Sequence, residues 1–213
     1  MKVPLVYPKI PDAKDNPLKN IIAFNKYDGT NMHWVWNSEY GFHTFGTRRN
    51  QYALNEFGIN QFKENHSELI QAPDLFSTNY ESLYSEYLSD SIFSDKEVIL
   101  FTEFLGEQSF AGNHIQEDNK QIILFDVQIN NKLLLPEMFL KHFNSFNIAK
   151  IVYKGKFSGQ FIEDVRSNKF KTSEGVICKG SYQDELYMFK IKTTDYLNKL
   201  KVQFADSWQE YWE

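Results

Sequence analysis

Short runs rich in β-branched and aromatic residues, each bounded by turn residues, recur along the chain and predict strands. They span residues 20–26, 32–36, 41–45, 97–104, 121–129, 148–153, 175–179 and 186–192. The second and third runs lie on either side of a short turn sequence at residues 37–39, so we expect them to form a β-hairpin.

Three other stretches carry apolar residues at steps of three and four, which is the spacing of one helix face. Residues 62–88 show this spacing with an interruption at Pro73, and residues 136–146 show it after a proline that suits a first helical turn. The third stretch is a C-terminal stripe formed by Leu197, Leu200, Phe204, Trp208 and Tyr211. A helix packed on its own sheet explains the stripe most simply, and a docking face for a partner is the alternative.

The predicted elements make a mixed α+β domain dominated by strands, and nothing in the sequence divides it. The 213 residues contain no internal repeat, no low-complexity segment and no linker rich in glycine, serine or proline. A chain of this length buries about 70% of the surface that its unfolded form exposes, enough for a core of its own. We therefore expect one domain over residues 1–213, with residues 194–213 as a C-terminal helical extension.

Composition restricts where the protein works. No stretch approaches the run of about 18 apolar residues that spans a membrane, and the N-terminus lacks the apolar core of a secretory signal. The single cysteine, Cys178, cannot form an internal disulfide, which suits a reducing compartment. We expect a soluble cytoplasmic protein without a membrane partner. The net charge of −5 argues against indiscriminate binding to nucleic acid but allows a local basic groove.

The first motif with chemical potential is Lys26-Tyr27-Asp28-Gly29, at the end of the first predicted strand. A sheet would hold Lys26 in place and partly desolvate it. Desolvation and nearby cations lower the pKa of a lysine, and the neutral amine is a nucleophile. A surface lysine before a turn is the alternative.

Three further positions are candidates for contacting a nucleotide. Arg48 and Arg49 follow the hairpin and have the fork geometry that binds phosphate or ribose, or they are simply solvated. Glu103 shares a strand face with apolar neighbours, where a carboxylate needs a partner such as ribose hydroxyls or a cation; a glutamate facing water is the alternative. Phe125 either offers its ring to a purine or packs in the core.

Two more motifs lie near the C-terminus. Glu174 precedes a β-branched strand that ends in Lys179, and Cys178 within it is expected to be a small buried residue rather than a reactive thiol. Lys190 and Lys192 alternate along the last strand, so both ammonium groups lie on one face and favour an anion between them. An exposed basic face is the alternative.

Taken in order, these motifs resemble the covalent nucleotidyltransferase superfamily, which contains ATP- and NAD-dependent polynucleotide ligases and GTP-dependent mRNA capping enzymes. The order is Lys-x-Asp-Gly, arginine, Glu-x-x-Gly, an apolar strand with Phe-Asp, Glu-Gly-Val-Ile-x-Lys and Lys-x-Lys, across residues 26–192. The chain is most similar to the RNA ligase branch, because Thr30 and Asn31 follow the first motif. The same branch is indicated by Glu-Phe-Leu-Gly at residues 103–106 running on to Ser-Phe-Ala-Gly-Asn-His at residues 109–114.

This resemblance implies a fold and an activity. The fold is an α+β nucleotidyltransferase domain, the ATP-grasp-like adenylation domain of RNA and DNA ligases, with mostly antiparallel sheets and flanking helices. The activity is ATP-dependent RNA ligation, in which Lys26 attacks the α-phosphate of ATP, AMP passes to an RNA 5′-phosphate, and this end is sealed to a 3′-hydroxyl. Mg²⁺ or Mn²⁺ is implied beside ATP, because phosphate oxygens select hard cations.

The resemblance also implies roles for single residues. Lys190 and Lys192 would bind the α-phosphate, offset its developing charge and help keep Lys26 unprotonated. Glu103 would bond the ribose, and Phe125 would stack on the base.

The remaining candidates surround this nucleotide. Glu174 would engage a divalent metal or the surroundings of the nucleophile, and Lys179 would lie near the base or phosphate. Either Arg48 or Arg49 would contact the nucleotide and the 5′-phosphate strand. The neighbours of the nucleophile implied in nucleotide binding are Asn25, Tyr27, Asp28 and Gly29.

Two departures from the family pattern leave alternatives open. Many ATP-using RNA ligases carry a glutamate just before the nucleophile, where it can contact the adenine amino group; Asn25 stands there, and its amide is compatible with adenine without fixing ATP over GTP. Only 21 residues follow Lys192 (213 − 192), too few for the OB-fold of DNA ligases and capping enzymes. We therefore expect no OB-fold domain, and RNA binding by this domain itself or through a substrate-binding protein partner.

Other functions remain possible on the sequence. One is a GTP-dependent capping-type or other nucleotidyltransferase, and another is a nucleotide-binding module without ligase activity. The intact set of Lys26, Glu103, Glu174, Lys190 and Lys192 counts against the binding module, since an inactive protein is free to lose these residues.

Overall fold

A computed structural model describes residues 6–106 and 120–205 of the chain. Contacts between residues divide the chain into two compact units. Unit 1 comprises Met1–Pro8 and Gly29–Leu134, and unit 2 comprises Lys9–Asp28 and Leu135–Glu213. That the two units form one domain stays a prediction.

The described part of the chain contains ten strands, six α-helices and one short 3-10 helix at Ser67–Leu69. The strands are β1 (Asn20–Lys26), β2 (Thr30–Asn37), β3 (Gly41–Thr47), β4 (Gln51–Ala53), β5 (Val98–Leu105), β6 (Gln121–Ile129), β7 (Lys132–Leu133), β8 (Ile151–Lys156), β9 (Gly175–Tyr182) and β10 (Glu185–Lys192). The helices are α1 (Glu56–Asn65), α2 (Ala72–Asn79), α3 (Glu81–Asp90), α4 (Pro136–Phe143), α5 (Gly159–Arg166) and α6 (Thr194–Phe204).

Unit 1 contains a six-stranded antiparallel sheet in the order β4-β3-β2-β5-β6-β7. Trp34, in the centre of β2, stacks on Phe76 of α2 with ring centroids 3.7 Å apart. The indole N–H of Trp34 donates to the hydroxyl of Thr102 at 2.9 Å, so the polar atom of this buried ring is satisfied. One face of this sheet is therefore closed by helix packing.

Unit 2 contains a four-stranded antiparallel sheet in the order β10-β9-β1-β8. Its core joins alternate residues of β1, β9 and β10, such as Ala23, Val176 and Phe189, to Phe161 and Val165 of α5. Because strand side chains alternate between faces, Lys26, Lys190 and Lys192 project from the opposite face. The apolar alternation of these strands thus sets the direction of the basic side chains.

The α+β class and all eight strands predicted from the sequence are confirmed. The strand predicted at residues 148–153 begins later, at Ile151, and the backbone carbonyl of Lys150 before it accepts from the N–H of Asn25. Cys178 is fully buried and burial raises the pKa of its thiol, as expected for a small core residue.

The helical predictions needed correction. Residues 62–88 contain parts of α1, α2 and α3 rather than one interrupted helix. Pro73 lies in the first turn of α2, where its missing N–H costs no hydrogen bond, so it begins a helix instead of breaking one. The helix predicted at residues 136–146 is α4 and ends at Phe143. Of the C-terminal stripe, Leu200 is buried in α6, while Trp208 and Tyr211 lie outside the described residues.

Three elements were missed: β4, β7 and α5. The two strands have three and two residues, too short for a periodic signal. Helix α5 has a start signal in Ser158, whose side chain accepts from the N–H of Phe161 at 3.2 Å. It has few apolar residues, so its sequence resembles that of a loop.

Every strand of the described residues belongs to one of these two sheets, so residues 6–106 and 120–205 contain no separate OB-fold barrel. Within the same residues no helix is long and apolar enough to span a bilayer.

Candidate functional site

Strand register brings the ends of β1 and β10 together across β9. Gly175 pairs with Lys26 on one side and with Lys192 on the other. Directly paired residues in antiparallel strands point to the same face, so both lysines flank a position that carries no side chain. The backbone N–H of Glu174 donates to the carbonyl of Lys26 at 3.1 Å, and the N–H of Thr193 donates to the carbonyl of Glu174 at 3.0 Å.

A glycine at position 175 is required for this close approach of β9 and β10. Its φ of +149° is one that side-chain-bearing residues rarely adopt. A Cβ at this position would lie 2.1 Å from the carbonyl oxygen of Ile191 and 2.7 Å from the Cα of Lys192. The Glu-Gly pair of the sequence motif is therefore explained by close backbone packing as well as by the carboxylate.

Glu174 is the centre of an ion-pair cluster. One carboxylate oxygen contacts the ammonium of Lys26, and the other lies 3.1 Å from the ammonium of Lys192. The glutamate side chain is 5% exposed, whereas that of Lys26 is 25% exposed. Buried carboxylates need such partners, and Lys26 keeps enough exposure to react.

Lys190 adds a further positive charge to the same face. Burial is the main cause that lowers its pKa to about 8, and repulsion from Lys192, Lys26 and Lys9 adds to the effect while Glu174 opposes it. Burial also lowers the pKa of Lys192, again against the attraction of Glu174. Three lysines lie near two carboxylates, Glu174 and Asp28, so positive charge is in excess and the cluster favours an anionic ligand.

Asp28 and Tyr196 extend this cluster. The hydroxyl of Tyr196, in α6, donates to a carboxylate oxygen of Asp28 at 3.1 Å, and both side chains are buried. The ammonium of Lys192 lies 5.2 Å from the centroid of the Tyr196 ring. Sequence reasoning missed Tyr196, although it lies four residues before Leu200 and so continues the apolar stripe of α6.

Other predicted residues of unit 2 occupy different surroundings. The side-chain oxygen of Asn25 accepts from the N–H of Ser173 at 3.3 Å, which steadies the loop before Glu174. Lys179 is fully buried, with its ammonium 5.0 Å from the ring centroid of Phe24 and 5.6 Å from that of Phe139. Lys179 lies four residues along β9 from Gly175, so it is not part of the cluster. Tyr27 is half-buried.

In unit 1, the side chain of Glu103 contacts the backbone of Gly29. Its carboxylate accepts from the backbone N–H of Gly29 at 3.1 Å. A Cβ at Gly29 would lie 2.5 Å from the carbonyl oxygen of Phe104, so the glycine allows this close approach. Glu103 is half-buried rather than fully exposed to water.

Phe125 lies at a β-bulge. Phe101 pairs with Asp126 and Thr102 pairs with Leu124, so Phe125 is the extra residue of β6. Bulges redirect a side chain and are frequent beside functional sites. The ring is only half-buried and packs edge-on against Tyr7 at 5.2 Å.

Tyr7 is the second residue that sequence reasoning missed, because the N-terminal segment carries no periodic signal. Its ring lies 4.8 Å from that of Phe101, and its hydroxyl donates to the buried carboxylate of Asp126. Burial is the main cause that raises the pKa of Tyr7.

The structure gives the two arginines different environments. Arg48 is half-buried, and its Nε donates to the carbonyl of Tyr7 at 3.1 Å. Arg49 is exposed. Burial lowers the pKa of Arg48, and Arg49 contributes in the same direction. Arg48 is therefore the pre-positioned side chain, and which arginine contacts the nucleotide stays a prediction.

No group of three or more histidine, cysteine, aspartate or glutamate side chains that could hold a metal occurs in the described part of the chain. The sequence at residues 109–114 lies outside that part.

Solved structures similar to this fold include RNA ligases. An archaeal ATP-dependent RNA ligase superposes with a TM-score of 0.59 and 14% identity, covering 94% of this chain and 52% of its own. A Naegleria gruberi RNA ligase with PPi has a TM-score of 0.57 and 15% identity, covering 94% of this chain and 61% of its own. A mutant Naegleria gruberi RNA ligase with ATP and Mn has a TM-score of 0.61 and 17% identity, covering 93% and 59%.

These neighbours show the nucleotidyltransferase fold predicted from the motifs, and the chain spans between about half and three-fifths of their length. No curated protein matches the sequence. Residues 19–192 match the RNA ligase family, which is most of the chain. The protein belongs to the RNA ligase family.

Proposed function

We propose that the protein is an ATP-dependent RNA ligase, or the adenylyltransferase core of one, that works through a covalent lysyl-AMP intermediate at Lys26. The observation that carries the proposal is the cluster in unit 2, where Lys26 and Lys192 contact the carboxylate of Glu174 and Lys190 adds a third positive charge. A triphosphate supplies the negative charge that this cluster lacks.

In the first proposed step the ammonium of Lys26 loses its proton, and the neutral amine attacks the α-phosphorus of ATP. An N–P bond forms, the P–O bond to the β-phosphate breaks, pyrophosphate leaves, and the nitrogen releases a second proton to solvent. Lys190 and Lys192 offset the charge that develops on the phosphoryl oxygens, the dominant contribution in phosphoryl transfer.

In the second step an oxygen of the RNA 5′-phosphate attacks the same phosphorus, the N–P bond breaks, and Lys26 regains a proton. In the third, a 3′-hydroxyl attacks the activated 5′-phosphate, AMP leaves, and the hydroxyl proton is released. Both RNA ends and the ATP preference are part of the proposal.

Glu103 is proposed to bond the ribose, Phe125 to stack on the base, and Arg48 or Arg49 to contact the 5′-phosphate strand. Asn25, Tyr27, Asp28, Gly29 and Lys179 are proposed to support nucleotide binding. The half-exposed ring of Phe125 at its bulge supports the stacking role. The side-chain oxygen of Asn25 already accepts from Ser173, and its amide N–H groups and the second lone pair of the oxygen remain for a base.

A divalent cation fits this donor set in one way. Mg²⁺ commonly takes one or two carboxylates together with substrate phosphates, and Glu174 is the carboxylate of the cluster that lies between Lys26 and Lys192. Both of its oxygens contact lysines, so binding Mg²⁺ or Mn²⁺ requires one of those contacts to loosen. When bound, the cation would neutralise charge on the phosphates.

The test is transfer of radioactive label from α-labelled ATP or GTP to the protein, followed by a denaturing gel. We expect label from ATP on the wild type and only background label on Lys26→Ala, which removes the nucleophile with little loss of packing. The control is Lys14→Ala, an exposed lysine elsewhere in unit 2, which should label like the wild type.

Label on Lys26→Ala at the wild-type level would show that Lys26 is not the nucleophile. Label from GTP alone would favour a capping-type nucleotidyltransferase. Nucleotide binding without any covalent label would favour a binding module.

A further inference from the structure

An unpaired row of lysines lies along one edge of the unit 2 sheet. Strand β8 is an edge strand and carries Lys154 and Lys156. Lys150 precedes it, and Lys19 lies beside Lys156 because the N–H of Phe157 donates to the Lys19 carbonyl at 2.9 Å. All four lysines are exposed, and none forms an ion pair with any residue in 6–106 or 120–205.

Register relates this edge to the nucleophile. Lys154 pairs with Ile22 and Lys156 pairs with Asn20, so their side chains lie on the face to which Ile22 and Lys26 both belong. The two lysines are one strand repeat apart, about 7 Å. Ile22, which pairs with Lys154, lies four positions before Lys26 on β1, about 14 Å along the strand.

The middle of this face is covered, and the edge is not. Phe139 of α4 packs against Phe24 with ring centroids 6.2 Å apart and shields Lys179, whereas Lys154 and Lys156 stay exposed. A charged edge also prevents strand pairing with another chain, for which a single well-placed lysine suffices. Lys154 and Lys156, both exposed on the face that carries Lys26, exceed that need.

The distribution of charge between the two units favours a polyanion at this edge. Unit 2 contains 16 lysines and arginines against 13 aspartates and glutamates, a net charge of +3. Unit 1 contains 7 and 15, a net charge of −8, and the two sum to the −5 of the whole chain. A polyanion is therefore attracted to unit 2 although the protein is acidic overall.

We propose that Lys154 and Lys156, the lysine edge, bind the phosphodiester backbone of the RNA strand whose 5′-phosphate receives AMP from Lys26. This lysine edge contacts phosphates and contributes affinity without sequence preference. The proposal rests on the proposed function for the identity of the polyanion.

The experiment measures binding of a 5′-phosphorylated 20-nucleotide RNA over a salt series. Each phosphate contact on a single strand contributes about 0.7 to the slope of log Kobs against log salt. We expect the double variant Lys154→Ala with Lys156→Ala to lower that slope by about 1.4, with affinity falling about tenfold at low salt. Lys154→Arg with Lys156→Arg keeps both charges and should bind like the wild type.

The matched control changes the same charge elsewhere, in Lys14→Ala with Lys132→Ala, two exposed lysines outside the edge. It should retain the wild-type slope. An unchanged slope in the alanine edge variant, or an equal loss in the control pair, overturns the proposal. Self-association of the edge variant with an unchanged RNA slope would show instead that these lysines protect the strand edge.

Labelling of the wild type at Lys26 is scored separately. A wild type that takes no label from any nucleotide contradicts the proposed function. A wild type that labels normally, together with an edge variant that binds RNA normally, contradicts the lysine edge alone.

Discussion

The surroundings of Lys190 make its charge change at mildly alkaline pH. Burial and the neighbouring lysines lower its pKa from the usual 10.5 to about 8, against the attraction of Glu174. Its ammonium is charged below that pH and increasingly neutral above it. Between pH 8 and 10.5 the unfolded chain binds this proton more readily, so the Lys190 contribution to stability improves as pH rises through that window.

This titration gives a pH prediction for nucleotide capture. As pH rises from 7.5 to 9.5, the KM for ATP in label transfer should increase about tenfold, because one charge-assisted contact, worth about 1.5–3 kcal/mol, is lost. Lys190→Arg stays charged and should show a flatter profile. The ratio of the two KM values at each pH cancels the titration of Lys26, which both proteins share. Identical profiles would mean that Lys190 does not contact the phosphates.

Phe125 gives a second test on a single side chain. If its half-exposed ring stacks on the base, Phe125→Leu should weaken nucleotide binding by about 1–3 kcal/mol, the usual contribution of base–aromatic stacking. The loss of folding stability should be smaller, because the ring is only partly buried. Nucleotide affinity and thermal unfolding are measured on the same preparation. Equal affinity in the two proteins would assign Phe125 to packing alone.

Helix α6 connects the end of the last strand to the turn after Lys26. Thr193 begins the helix by accepting from the N–H of Tyr196 at 3.1 Å, and Tyr196 then contacts both Asp28 and Lys192. This helix therefore holds two charged residues of the cluster in place in addition to packing on the sheet.

Tyr196→Phe should slow label transfer about tenfold, because the hydrogen bond to the Asp28 carboxylate is lost while the ring remains. Tyr196→Leu should be slower still, since the ring beneath the Lys192 ammonium is lost as well. Val202→Ala, on the same helix and 86% exposed, is the control and should label like the wild type. If Tyr196→Phe equals that control, the hydroxyl has only a packing role.

The uneven charge of the two units bears on how strongly the whole chain holds RNA. With −8 on unit 1 and few basic residues to contact phosphates, we expect weak RNA binding with a shallow salt dependence. The predicted basic contacts, Arg48, Arg49, Lys190 and Lys192, and the lysine edge add only a limited number of phosphate contacts.

Sealing should therefore be the slow part of the reaction. We expect efficient labelling of Lys26 but slow joining of RNA that carries an unadenylylated 5′-phosphate, unless a partner protein supplies RNA binding. A pre-adenylylated RNA skips the first two steps and isolates the attack of the 3′-hydroxyl. Rapid, salt-insensitive joining of both kinds of end would contradict this expectation. Failure with the pre-adenylylated end, beside ready labelling, would identify an adenylyltransferase core that depends on a partner.

Local patterns along the chain were sufficient to predict the eight longer strands and the order of the motifs. The alternation in residues 20–26 and 186–192 places Lys26, Lys190 and Lys192 at strand ends with defined faces, and the structure has both strands at those bounds or within one residue of them. The short strands β4 and β7 and the weakly apolar α5 were not predicted, because periodicity over two to eight residues carries little information.

Contacts between distant residues could not be read from such patterns. Glu174 meets Lys26 across 148 positions, and Tyr196 meets Asp28 across 168. The bulge at Phe125 depends on how β6 pairs with β5, and the role of Tyr7 depends on Asp126, 119 residues away. Periodicity encodes which face a side chain occupies, whereas partner choice follows from strand order and register, which form only when the sheets assemble.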